Sequence, residues 1–253
     1  MDPWSADALL FAGVAFLLAG LVKGTIGLGL PTVALGLLTT TLGLTNAVAL
    51  MLIPAVVTNA AQAVDIGAGT ARAKAMLRRF WPLLLTVAIG VWIGAGTLSR
   101  TTSSAPAAML GLLIALHATI SLATPQVPAP GRHERWLSPV VGLINGIITG
   151  FTGSSVIPAV LYMQALGLKK DELVQAMGML FGISTLMLTL AFTRYGMLTA
   201  DLALLSALVM VPAFLGMWLG QQVRRRVSEE RFRRMLFVGL LLLGLYVLAR
   251  SLG

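Results

Sequence analysis

Residues 20–31 read GLVKGTIGLGLP, and they interrupt a run that is otherwise apolar from residue 8 to residue 42. Four glycines (Gly20, Gly24, Gly27, Gly29) and Pro31 weaken a helix here, the glycines for want of a Cβ and the proline for want of an N–H. Lys23 lies among them, and a charge inside such a run is costly and marks function. A related stretch, GLINGIITGFTGSSVIP, occupies residues 142–158. The pair decides the architecture, because each marks a long apolar segment that cannot continue as one straight helix.

The chain around them belongs to a bilayer. Of its 253 residues, 57% are hydrophobic and 11% charged, where soluble domains carry roughly a quarter charged residues. Mean hydropathy is +0.91. Continuous apolar runs of about 20 residues, enough to cross a membrane as helix, recur along the sequence; a β-barrel would alternate in short segments. The net charge of +9 invites a nucleic-acid reading. The basic residues sit between apolar runs, however, as the positive-inside bias requires, so no nucleic-acid partner is expected. The absence of cysteine excludes thiol chemistry, disulfides and cysteine-ligated metals. The opening MDPWSADALL has no positive n-region and is read as mature chain.

Eight apolar segments are expected, at about 8–41, 44–64, 80–99, 106–123, 138–166, 173–193, 199–222 and 233–252. The polar stretch 124–138, TPQVPAPGRHERWLS, has three prolines and reads as an extended connector near the midpoint. Sliding the sequence against itself by 126 positions gives matches on both sides of it. Gly20, Gly24 and Gly27 fall on Gly146, Gly150 and Gly153; Gly90, Trp92 and Gly94 fall on Gly216, Trp218 and Gly220; Thr58 and Asn59 fall on Ser184 and Thr185. Two homologous halves follow, a first transmembrane repeat over 1–123 and a second over 138–253, joined by a cytoplasmic connector at 124–137.

Loop charge orients them. Suppose that the basic residues of loop 65–80, of the connector, of 167–172 and of 222–234 all face the cytoplasm. Fourteen of the eighteen Lys and Arg are then inside, Arg100, Arg194 and Arg250 lie outside, and Lys23 is within the membrane. This layout requires segments 8–41 and 138–166 each to begin and end on the same side. The expected fold is therefore an all-α polytopic membrane protein with two inverted repeats. Each repeat has a Gly-rich broken or re-entrant first segment followed by three transmembrane helices, a plan of secondary transporters, and both termini face outward. The competing layout is an eight-helix bundle with parallel halves.

The paired motifs KGTIGLGLPTVALGL and NGIITGFTGSSVIPAVLYMQALGL, with the duplicated plan around them, resemble the sulfite exporter TauE/SafE family of membrane permeases over essentially the whole chain. The resemblance implies a bacterial-type inner-membrane permease. It also implies a cargo among sulfur-containing anions such as sulfite and sulfonates, or related small organic acids.

The residues point to an anion independently. Every Asp and Glu lies in a loop or at a segment edge, so Lys23 has no acid nearby in sequence, and a mobile anion is its natural partner. The N–H groups exposed at a helix break favour negative charge, which brings Gly24, Gly27, Gly29, Gly150 and Gly153 into the expected binding site. Thr25, Thr149, Thr152, Ser154 and Ser155 offer hydroxyls and Asn145 an amide. Asn59 joins them from the polar stripe Thr58, Asn59 and Gln62. Against this stand plain structural roles. Lys23 can snorkel, the hydroxyls can cap and satisfy backbone, and Gly20/Gly24 and Gly146/Gly150 are GxxxG pairs that let helices pack closely. Trp92 and Trp218 read as packing or interface anchors, Pro54 and Pro212 as helix kinks, and His117 as a packing histidine. No Ser–His pair, aspartate pair or zinc motif suits intramembrane catalysis; no enzyme and no cofactor are expected. The reading is a permease exporting a small anion by alternating access, with the site where the two breaks meet near the bilayer midplane. An anion-selective channel and a non-transporting membrane scaffold are the alternatives.

Overall fold

A computed structural model describes residues 5–27, 29–63, 69–123, 128–224 and 229–253. Expectations attached to Asp65, Arg225, Arg226 and the first residues of the connector lie outside these. Among the described residues there are eleven α-helices, one turn of 3₁₀ helix and no strand. Helix α1 (Ala6–Ile26) is followed by the short α2 (Leu30–Leu42), then α3 (Leu44–Ala63), α4 (Gly69–Leu98) and α5 (Ala105–Ala123). The second half contains α6 (Glu134–Thr152), the seven-residue α7 (Ala159–Ala165), α8 (Lys170–Arg194), α9 (Ala200–Leu208), α10 (Met210–Arg224) and α11 (Glu229–Leu252).

The two breaks fall at the glycines. Helix α1 stops because Gly27 takes φ 88°, a left-handed conformation that costs an L side chain about 1–2 kcal/mol, and its N–H closes on the Lys23 carbonyl at 2.7 Å. Helix α6 stops in the same way, with Gly153 at φ 77° and its N–H on the Thr149 carbonyl at 2.7 Å. Chain resumes as helix at Leu30 in one case and at Ala159 in the other.

Seven helical stretches among the described residues are long and apolar enough to cross a membrane. They are α1, α3, α5, α8, Lys74–Leu98 of α4, Phe232–Leu252 of α11, and Ala200–Arg224, which joins α9 and α10. Of the eight apolar segments expected, the two expected to be broken are divided, 8–41 into α1 and α2 and 138–166 into α6 and the short α7. Two boundaries differ. The connector is not extended throughout: its helix begins at Glu134, past Pro125, Pro128 and Pro130. The basic residues expected in loop 65–80 lie on the first turns of α4, where Arg79 pairs with Glu134 at 2.8 Å. Pro54 sits inside α3, as expected of a kink, and Pro212 follows the break between α9 and α10.

Packing is of the membrane kind. Fully buried Phe16, Phe80 and Phe192 mark the interior, while Leu85, Ile89 and Ile93 line an exposed face of α4 at four-residue spacing. A face like that is stable against lipid rather than water. Backbones approach most closely at glycines. A Cβ on Gly20 would collide with the Ala213 carbonyl and one on Gly24 with that of Met217, so α1 lies along α10 with both chains running the same way. A Cβ on Gly146 would collide with the Val87 carbonyl and one on Gly150 with that of Val91, which lays α6 along α4 in the same sense. Every residue of the second set stands 126 positions from its counterpart in the first, with the halves exchanged. The first helix of each half therefore packs on the third long helix of the other.

Candidate functional site

Lys23 sits one turn before the α1 break and is only 6% exposed. Its ammonium nitrogen donates to Asn59 Oδ1 at 2.7 Å and to Thr58 Oγ1 at 2.9 Å, both near the end of α3. Thr58 passes its own proton to the Pro54 carbonyl at 2.6 Å. This leaves the hydroxyl oxygen to accept from Lys23, so the pairing is unambiguous. Asn59 is 1% exposed, and its Nδ2 finds no partner. The cluster thus holds one buried cation, two neutral acceptors and an unused amide donor. The acids whose side chains are described (Asp7, Glu134, Asp171, Glu172, Asp201 and Glu230) all lie in the first turns of helices, where they complement the helix dipole. None is placed to neutralise Lys23. Snorkelling does not describe this side chain, since it is enclosed and hydrogen-bonded inward.

The corresponding region of the second half is built differently. Lys23 is matched by Thr149, whose hydroxyl donates to the Asn145 carbonyl at 2.7 Å. Asn145 Nδ2 donates to Ser155 Oγ at 3.0 Å, Ser155 to Ser184 Oγ at 3.2 Å, and Ser184 to the Leu180 carbonyl at 2.8 Å. Asn145 Oδ1 also accepts from the Ala159 N–H at 3.4 Å. The Ser155 and Ser184 protons are committed within the protein, and the relay ties the irregular stretch after α6 to α8.

Several expected site residues therefore take structural roles. Thr25 donates to the carbonyls of Leu21 at 2.8 Å and Gly220 at 3.1 Å, which turns it toward α10 and away from Lys23. Thr152 donates to the Ile148 carbonyl and accepts from the Ser154 N–H at 3.2 Å, capping the break. Gly24 and Gly150 have their open side filled by α10 and α4, and Gly153 by Val48 and Leu35. Gly27 has open space beside it, while Gly29 faces Val22. Lys23 lies at Asn59, near the end of α3, while Gly153 lies against Val48, near its start, and against Leu35 in the second turn of α2.

Thr58, read from the sequence as part of the polar stripe with Asn59 and Gln62 but not as one of the binding residues, is brought to Lys23 together with Asn59. Gln175 of α8, 1% exposed, donates to the Ala63 carbonyl at 3.4 Å, and its Oε1 has no partner. His117 meets Phe237 edge-on at 5.4 Å between α5 and α11, in keeping with a packing role. Trp92 packs edge-on against Tyr195 at 6.1 Å, while Trp218 is exposed on the outer surface of the bundle.

A family model described as Sulfite exporter TauE/SafE matches residues 12–247. Neither the curated proteins nor the solved structures contain a match.

Proposed function

The chain belongs to the sulfite exporter TauE/SafE family of membrane transporters, and from that premise we propose that it exports a small anion, sulfite, a sulfonate or a related organic acid, by alternating access. The observation that carries this reading is Lys23, a buried cation whose neighbours are neutral and which no carboxylate among the described residues approaches. An ammonium so placed is paired most economically by a cargo that brings the negative charge with it. Lys23 and the Asn59 amide supply donors, and Thr58 holds Lys23 in place. The Gly29 N–H lies just past the α1 break, and open space lies beside Gly27, whose own N–H is held by the Lys23 carbonyl.

The two halves are read as inverted repeats, 1–123 and 138–253. Helix directions support this. Lys23 joins the end of α1 to the end of α3, with α2 returning between them. Helix α3 ends beside the start of α8, where Gly178 meets Gln62 and Ala63, and α4 ends beside Tyr195 at the end of α8. Thus α4 opposes α3, α6 follows α4, and α6 opposes α1. With the basic helix ends inside, both termini face outward from a bacterial-type inner membrane.

Reconstitution tests the function. Purified protein in liposomes should give saturable flux of sulfite or of at least one sulfonate or carboxylate in a panel, without unitary currents in a planar bilayer. No flux of any member would overturn the permease, and discrete openings would replace the carrier with a pore.

A further inference from the structure

The hydrogen-bond count at Lys23 goes further than anion binding. A charged ammonium has three protons to donate and no acceptor site, whereas a neutral amine has two protons and one lone pair. Lys23 Nζ has two acceptors, Asn59 Oδ1 and Thr58 Oγ1. Thr58 Oγ1 is fixed as an acceptor there because its own proton goes to Pro54. Two acceptors take both protons of the neutral amine and leave only its lone pair without a partner. The ammonium has a proton left over, and a negative oxygen supplied by the cargo satisfies both that proton and the charge.

No other group nearby can hold the charge. Helices α2 and α3 contain no ionisable residue. On α10 the only one is Arg224, seven residues beyond Met217, which packs against Gly24. Helix α11 carries Glu229, Glu230, Arg231, Arg233 and Arg234 at its start and Tyr246 and Arg250 near its end, with no other ionisable residue between, and α9, packed on α3, has Asp201 in its first turn. Across α3, helix α8 has Asp171 and Glu172 in its first turn, and Glu172 accepts from the Lys169 N–H at 3.1 Å. On α1 itself the only other charge is Asp7, at the far end.

We propose that Lys23 is the proton carrier of a coupled cycle: it takes up a proton as the anion binds and releases it as the anion leaves, so anion and proton cross together. This rests on the permease reading above. In the loaded site an R–NH₃⁺ group faces the anion. When the site opens to the far side, the anion departs, a proton passes from nitrogen to water, and the empty site returns as R–NH₂ on its two acceptors. No unpaired charge is left buried at either stage, which removes the cost of carrying a lone ammonium through the closed protein.

The test uses the full chain in liposomes containing a trapped pH dye. The cargoes are methanesulfonate, ethanesulfonate and sulfite, each at a series of clamped membrane potentials. Because the sulfonates are anions of strong acids, any proton that accompanies them is carried by the protein. The expected result is a lumenal pH change that tracks anion flux and an anion flux insensitive to potential. Lys23→Arg keeps a charge that cannot be released; it should abolish the pH change and make any remaining flux potential-dependent. If sulfite alone is moved, acidification that persists in Lys23→Arg would show that the cargo brought its own proton, and would overturn the proposal. Wild-type sulfonate flux that follows the potential with no pH change would also overturn it while leaving the permease intact. Absence of flux for all three cargoes and for the wider panel would instead remove the permease reading, and this proposal with it.

Discussion

Lys23 donates to Asn59 Oδ1 at 2.7 Å, and this bond crosses from the end of α1 to the end of α3, fixing the one buried cation among the described residues against a neutral partner. Neutrality of that partner is the functional point. Asn59→Asp should give Lys23 a permanent counter-ion of nearly the same shape. The variant is expected to fold and to lose anion flux by more than about tenfold, equivalent to ~1.4 kcal/mol. Flux assays paired with thermal melts check this; a variant that transports normally would contradict a cargo held by the free charge.

The glycine contacts predict stability. Gly24→Ala and Gly150→Ala each push a methyl group into the backbone of a neighbouring helix, at Met217 and Val91. Each should cost about 1–3 kcal/mol by melting in detergent, and the two costs should be alike because the positions correspond. Gly13→Ala, in the same helix with open space beside it, should instead be neutral or stabilise by up to about 1 kcal/mol.

Pro54 frees the Leu50 carbonyl, and Ser206 of α9 donates to that oxygen at 2.8 Å while accepting from the Ile53 N–H at 3.1 Å. Ser206→Ala should cost about 1–3 kcal/mol through the orphaned carbonyl. Adding Pro54→Ala restores an N–H to α3 and should recover part of the loss. A double-mutant cycle with no coupling between the two sites would refute this account of the kink.

Membrane topology has its own test, because the chain lacks cysteine. Thr70→Cys and Ser228→Cys should react with an impermeant thiol reagent from the cytoplasmic side only. Ser103→Cys, between α4 and α5, should react from the outer side only. Labelling of positions 70 and 228 from opposite faces would rule out inverted halves.

The breaks were legible because their signal is local. Gly27 and Gly153 interrupt apolar runs, and only glycine takes their backbone conformation cheaply. Lys23 stood out for an equally local reason, a charge in an apolar run. What stayed hidden depends on which surface each side chain meets. Glycine at 20, 24, 146 and 150 announces that something comes close, yet nothing in the sequence says that α10 and α4 fill those spaces. Thr25 and Thr58 look alike as polar residues in apolar helices. The first turns to α10 and the second to Lys23 because they occupy different helix faces. Asn145 and Ser155 read as ligands from the sequence, where it is not visible that Asn145 donates to Ser155 and Ser155 to Ser184. The helix ends at 69–79 and 134 were misplaced because charge marks the membrane boundary, and helices run past it.

Lys23→Met bears most directly on the account. It removes the charge and both hydrogen bonds but keeps an unbranched side chain of similar length. In liposomes, with correct folding verified by size-exclusion profile and melting, its flux of the best wild-type cargo should fall to the level of protein-free vesicles. A folded Lys23→Met protein that carries the same anion at the wild-type rate would contradict the claim that this buried cation binds the cargo.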